Sequence, residues 1–291
     1  MTLTGLLLPE ASAAAAYTEG HRHGHGHGHG HRHSHGHRHG HGYGHGRGRD
    51  GVPRIFQGKG FDACQAPSLA AMRAWRASSP YRAVGIYFGG RARACSSQTN
   101  LNKDWVQQNS AAGWNMLPIY VGSQSPCVNG SNKNPYRIDT SRPAAQGTSE
   151  GSDAVQTAAA VGLTAGSALY LDMEAYDYTN ASCAAATLSY VRGWDRQVRA
   201  LGYVPAFYSS ADSGVTHMEQ ARRAGTPDLP EAVWYARWGV AANLTDEPSL
   251  ASSAWTPHAR IHQYTGSVTE SYGGYRLTID RDLLDAPVGQ V

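Results

Sequence analysis

Ala168-Leu-Tyr-Leu-Asp-Met-Glu174 reads as a buried strand with two carboxylates at its C-terminal end. Side chains on a strand alternate faces, so Asp172 and Glu174 point the same way. Two acids held close on one face push one pKa upward. Polysaccharide hydrolysis uses such a pair, one acid protonated and one ionised.

Strand-like and helix-like stretches alternate outward from this segment. Strands are predicted at 59–63, 81–88, 114–121, 167–174, 203–208, 232–237, 259–264 and 275–279. Helices are predicted at 67–77, 102–112, 149–161, 182–200 and 211–223, the fourth ending at a Gly202 C-cap. A polar loop over 122–146 is long enough to be functional or a lid. Strand–helix alternation implies a parallel sheet. Eight units within residues 53–291 predict an α/β fold, a single (β/α)8 TIM-type barrel, with room for degenerate last helices. An open doubly wound sheet is the competitor. Gly58-Lys-Gly-Phe-Asp62 stands where its dinucleotide fingerprint would follow the first strand, and no P-loop occurs.

A barrel carries its site at the C-terminal strand ends. Acids stand there on three predicted strands: Asp62 on the first, Asp172 and Glu174 on the fourth, Asp280 on the last. A lone Asp at a strand end commonly caps a helix or forms a turn. Asp282 in particular reads as the start of a helical turn. Three strand ends carrying acids together favour a shared site. Tyr87, Tyr120, Tyr208, Trp238 and Tyr264 fall near strand ends, where aromatic faces pack on sugar rings. Gln124 and Gln263 offer neutral hydrogen bonds to the same cleft. His262 alternates away from Gln263 and reads as a packing residue. The H-x-x-x-H spacing of His258 and His262 falls at a predicted strand and not on a helix, and the one G-x-S-x-G match of the main domain, Gly147–Gly151, follows a polar loop and not a strand, which disfavours a metal or serine hydrolase. Ser209-Ser210 with His217 is the weak serine alternative, and no cofactor is implied.

The net charge of +3 is uneven: −2 over 1–20, +4 over 21–52 and +1 over 53–291. The main domain shows no phosphate-tracking face, so no nucleic-acid partner is expected. Residues 1–20 read as a secretion signal whose start lies upstream, and no run is long enough for an integral membrane span. Four cysteines, none in a C-x-x-C pair, then imply disulfides, with Cys95–Cys127 the preferred bridge. Residues 21–46 hold 12 of the 15 histidines and too little apolar surface for a core, so 21–52 reads as a disordered His-rich linker. His21, His23, His25, His27 and His29 could take a divalent metal. Below about pH 6 the same imidazoles would protonate and could anchor the chain to anionic wall polymers.

Gly60-Phe-Asp-Ala-Cys64, Val84-Gly-Ile-Tyr-Phe-Gly-Gly90, Tyr170-Leu-Asp-Met-Glu-Ala-Tyr176, Tyr208-Ser-Ser210 and His262-Gln-Tyr264 together resemble the secreted glycoside hydrolase-like domain-of-unknown-function family of actinobacterial cell-envelope proteins. The resemblance covers 57–285. That family is similar in turn to the family-25 lysozymes, which cleave the peptidoglycan glycan. The resemblance implies a (β/α)8 barrel, an envelope location and a cell-wall polysaccharide or peptidoglycan as partner. It also implies that Glu174 is the general acid and that Asp172 stabilises developing positive charge, with Asp62 and Asp280 matching the acids of the first and last strands. Asp282 departs from the lysozyme pattern, which has an amide there. A wall-binding module using the same groove without turnover is the second expectation, and a metal store on an inert barrel the third.

Overall fold

The computed structural model describes residues 52–291. The expected leader, the His-rich linker up to residue 51 and its candidate metal-binding histidines lie outside the described residues. Eight strands close into one barrel in sequence order. They are β1 (Arg54–Asp62), β2 (Ala83–Gly89), β3 (Asn115–Tyr120), β4 (Ala168–Asp172), β5 (Val204–Ser210), β6 (Ala232–Ala236), β7 (Arg260–Tyr272) and β8 (Tyr275–Val288). Helices α1 (Leu69–Ser78), α2 (Lys103–Ala111), α3 (Pro143–Ala160), α4 (Ala181–Ala200) and α5 (Thr216–Arg223) follow the first five strands. The last helices are indeed degenerate. Residues 237–259 run as turns and irregular chain, and β7 joins β8 by a tight turn at Gly273-Gly274, both at positive φ.

Strands β1 to β7 are parallel, but β8 runs antiparallel to both neighbours. This corrects the expectation of an all-parallel sheet, in which Asp280 would end the last strand. Asp280 instead lies inside β8, and the register sets it opposite Asp62. Asp282 does not open a helical turn: it lies in the same strand, opposite Gly60. Antiparallel pairing also brings the two ends of the domain together, Arg54 against Val288, with Gln290 Nε2 donating to the Val52 carbonyl at 3.0 Å.

Strand parity sorts the core. Ala168 and Tyr170 of β4 join a cluster built mainly from strand residues, including Leu117, Ala206, Trp234, Ile261 and Leu284, which fills the barrel. Leu169 and Leu171 join Trp75, Trp105, Tyr190 and Trp194 of the helices in an outer layer. Side-chain caps start three helices: Ser68 accepts from Ala71 N, Asn102 from Trp105 N and Asn180 from Cys183 N. Helix α3 begins six residues before its predicted start, because Gly147 and Gly151 are contact points and not breaks. A Cβ on Gly147 would lie 2.1 Å from the Tyr190 carbonyl oxygen of α4.

Candidate active site

The inward parity of β4 carries past Tyr170 to Asp172, whose side chain points up through the barrel mouth. The strand ends there, and Glu174 follows in the loop, 44% exposed in its side chain against 4% for the whole of Asp172. Gln124 holds both backbones: its Nε2 donates to the Asp172 carbonyl at 2.9 Å and its Oε1 accepts from Glu174 N at 2.8 Å.

Asp62, Asp172, Glu174 and Asp280 line one open cleft of about 380 Å³. Asp62 is nearly inaccessible. Its Oδ1 accepts from the Tyr87 hydroxyl and its Oδ2 from Gln263 Nε2, each at 2.8 Å. Burial and then the charge of Asp280 push its pKa up to about 7, against these two hydrogen bonds. Gly85 makes its place: a Cβ there would come within 2.4 Å of the Asp62 Cβ. Burial also raises Asp280, whose Oδ1 accepts from Ser267 N. One step below the mouth, Asp282 is fully buried, accepts from Trp234 Nε1 at 3.0 Å and is held well above the carboxylate range by burial and then by Asp62.

The two acids of the opening motif sit in different surroundings. Burial, followed by the charge of Glu174, holds Asp172 well above the usual range. Its Oδ1 is buried without a hydrogen-bond partner. Glu174 is ion-paired with Lys133 Nζ at 3.3 Å. Lys133 is itself 7% exposed and also donates to the Ala92 carbonyl at 2.9 Å. It reaches the cleft from a 3-10 turn, Ser131–Tyr136, within the long polar loop. Sequence reasoning missed Lys133 and its neighbour in the lining, Arg93. The available signal was a rare lysine, one of three in the chain, inside a loop already marked as functional.

Tyr87, Tyr208 and Trp238 line the cleft as expected of residues at its mouth. Gln263 lies just beneath as a hub: its Oε1 accepts from Tyr208 and Trp238, both at 3.0 Å, while its Nε2 holds Asp62. Trp238 is 55% exposed and rests on Gly266, where a Cβ would stand 2.2 Å from the indole. Three expected contact residues are elsewhere. Tyr120 has outward parity, packs in the helix–sheet layer and donates to Asp153 at 2.7 Å. Tyr264 is on the opposite face of β7 from Gln263 and does not line the cleft. Gln124 is fully buried and spends its amide on backbone groups.

The bridges are Cys64–Cys95 and Cys127–Cys183, with Cα–Cα distances of 5.7 and 5.8 Å. This corrects the preferred Cys95–Cys127 pairing. Each bond joins the segments that follow adjacent strands, β1 with β2 and β3 with β4. His217 faces the Tyr176 hydroxyl at 2.7 Å and makes no serine pair. Among the described residues, no group of three or more His, Cys, Asp or Glu is arranged to hold a metal.

Solved structures share the barrel. The Tat-secreted protein Rv2525c of Mycobacterium tuberculosis, in complex with L-tartrate, superposes with TM-score 0.53 at 16% identity, covering 80% of this chain and 99% of that one. Its complex with HEPES gives TM-score 0.51 at 18% identity, covering 79% and 96%. The modular autolysin LytC from Streptococcus pneumoniae gives TM-score 0.50 at 12% identity, with 80% of this chain matched to 46% of that one. At such identities the likeness speaks for the fold alone. No curated protein matches the sequence. The family described as "Rv2525c-like, glycoside hydrolase-like domain" matches residues 73–284, well over half of the chain, and the protein belongs to that family.

Proposed function

We propose that the cleft binds a cell-envelope glycan, peptidoglycan or a related polysaccharide, and hydrolyses its O-glycosidic bonds with carboxylates alone. The observation that carries this reading is the contrast between Asp172 and Glu174 on one wall. Neighbouring acids in unlike surroundings, one buried and one exposed, are what acid/base glycosidases use. Asp172, buried and next to a negative charge, is the acid of the pair whose proton affinity is raised. Glu174, exposed and paired with Lys133, faces the substrate side. This is the reverse of the assignment implied by the lysozyme resemblance, so the two residues are tested side by side. Tyr87, Tyr208 and Trp238 supply faces and hydroxyls for sugar rings. Two disulfides suit an oxidising compartment, in keeping with action outside the cell.

Purified protein incubated with peptidoglycan should generate new reducing ends, and both Glu174→Gln and Asp172→Asn should abolish them. The Lys133 pair favours one alternative, a glycan-holding module, because it occupies one of the two acids. Wild-type protein that pellets with cell walls and releases nothing would support that alternative.

A further inference from the structure

The cleft has a cationic wall that the acid/base reading leaves unused. Lys133 is a buried ammonium with three N–H donors, of which Ala92 O and Glu174 take two. Arg93, also in the lining, spends Nε on the Gly90 carbonyl at 3.1 Å and Nη1 on the Tyr87 carbonyl at 3.2 Å. Among the described residues, none accepts a hydrogen bond from its Nη2. The Ala92 carbonyl that holds Lys133 belongs to the residue next to Arg93, so one short segment positions both cations. Disulfides fix the loops that carry them, Cys95 two residues beyond Arg93 and Cys127 six residues before Lys133. A buried lysine is costly to keep unless something offsets its desolvation. A half-exposed carboxylate at 3.3 Å does so only in part.

We propose that Lys133 and Arg93 form a carboxylate-recognising subsite, so that the cleft selects a glycan bearing a free carboxylate, such as a uronic acid, over its neutral counterpart. This rests on the reading of the cleft as a glycan site. Four acids in the same lining do not forbid it. Glu174 is already paired, and burial holds Asp62, Asp172 and Asp280 above the usual carboxylate range, which lessens the negative charge an anionic sugar meets.

The test is calorimetric titration of the full chain, at one pH and salt concentration, with chitotetraose and with the same tetramer oxidised to the carboxylate at C6. The carboxylated form should bind at least tenfold tighter. Lys133→Met should bring the affinities for the two tetramers to within twofold of each other. Arg93→Gln, at a partly exposed position, should reduce the preference by a smaller factor and guards against a Lys133 variant that fails to fold. Equal affinities for the two tetramers would overturn the subsite while leaving the glycan cleft in place. A preference that survives both substitutions would mean that charge is read elsewhere on the chain, and would also overturn it. Binding of neither tetramer would remove the glycan reading and the subsite with it.

Discussion

Replacing Gln263 by leucine should destabilise the protein more at pH 8 than at pH 5. The side chain makes three hydrogen bonds, to Asp62, Tyr208 and Trp238. Loss of the neutral Tyr208 bond costs about 1 kcal/mol, and half-exposed Trp238 recovers its bond from water. The Asp62 bond depends on charge. Asp62 has a folded pKa of about 7, above its unfolded value, so the folded state keeps a proton that the unfolded chain has released. Its contribution to stability is therefore complete below about pH 4 and is lost as pH rises toward 7. Gln263 lowers that folded pKa, and its removal carries the decline to higher pH. At pH 5 Gln263 bonds a neutral acid, worth about 1 kcal/mol; at pH 8 it bonds a carboxylate, worth about 2 kcal/mol. The loss in Gln263→Leu should thus be about 2 kcal/mol at pH 5 and about 3 kcal/mol at pH 8, read by urea unfolding. An equal loss at both pH values would refute the view that Gln263 supports the charged form of Asp62.

Three further outcomes are expected. Gly266→Ala should push Trp238 off its seat, weakening glycan binding about tenfold with little change in melting temperature, because the indole is half-exposed and the strand pairing survives. Asp195, in α4, has both carboxylate oxygens buried without partners and is raised well above the usual range by burial. The wild type should therefore lose stability as pH climbs above about 4, and Asp195→Asn should be the more stable protein at pH 8, the gap closing toward pH 4 in parallel unfolding curves. Removing either disulfide with paired serines should cost about 3–4 kcal/mol, given loops spanning 31 and 56 residues, and lower the melting temperature by about 10 °C in calorimetry; an unchanged melting temperature would count against it.

The barrel was legible because its parallel strands are short apolar runs between capped helices. The four acids were legible as three chain segments converging on one mouth, although Asp280 reaches it from inside an antiparallel strand and not from a strand's end. What escaped depends on pairing and parity. Gln263 and Tyr264 are adjacent, so only one of them can face the mouth, and the side is chosen by the register of β7 against β6 and β8. Tyr87 and Tyr120 look alike in sequence, yet they fall on opposite faces of neighbouring strands. The Asp-Leu-Leu-Asp run in β8 has local helical character, which two strand neighbours override. Lysine is ordinarily a surface residue, so the burial of Lys133 could come only from the fold of its loop.

The reversed direction of β8 has a practical side. Strand β1 climbs toward the cleft and β8 descends from it, so Val52 and Gln290 meet at the far end of the barrel. The domain can therefore be immobilised on a bead, or fused to a reporter, through either of these points without blocking access to its mouth. A flat, cross-linked polymer could lie across the cleft while the attachment hangs behind, a geometry suited to solid-phase assays on insoluble wall material.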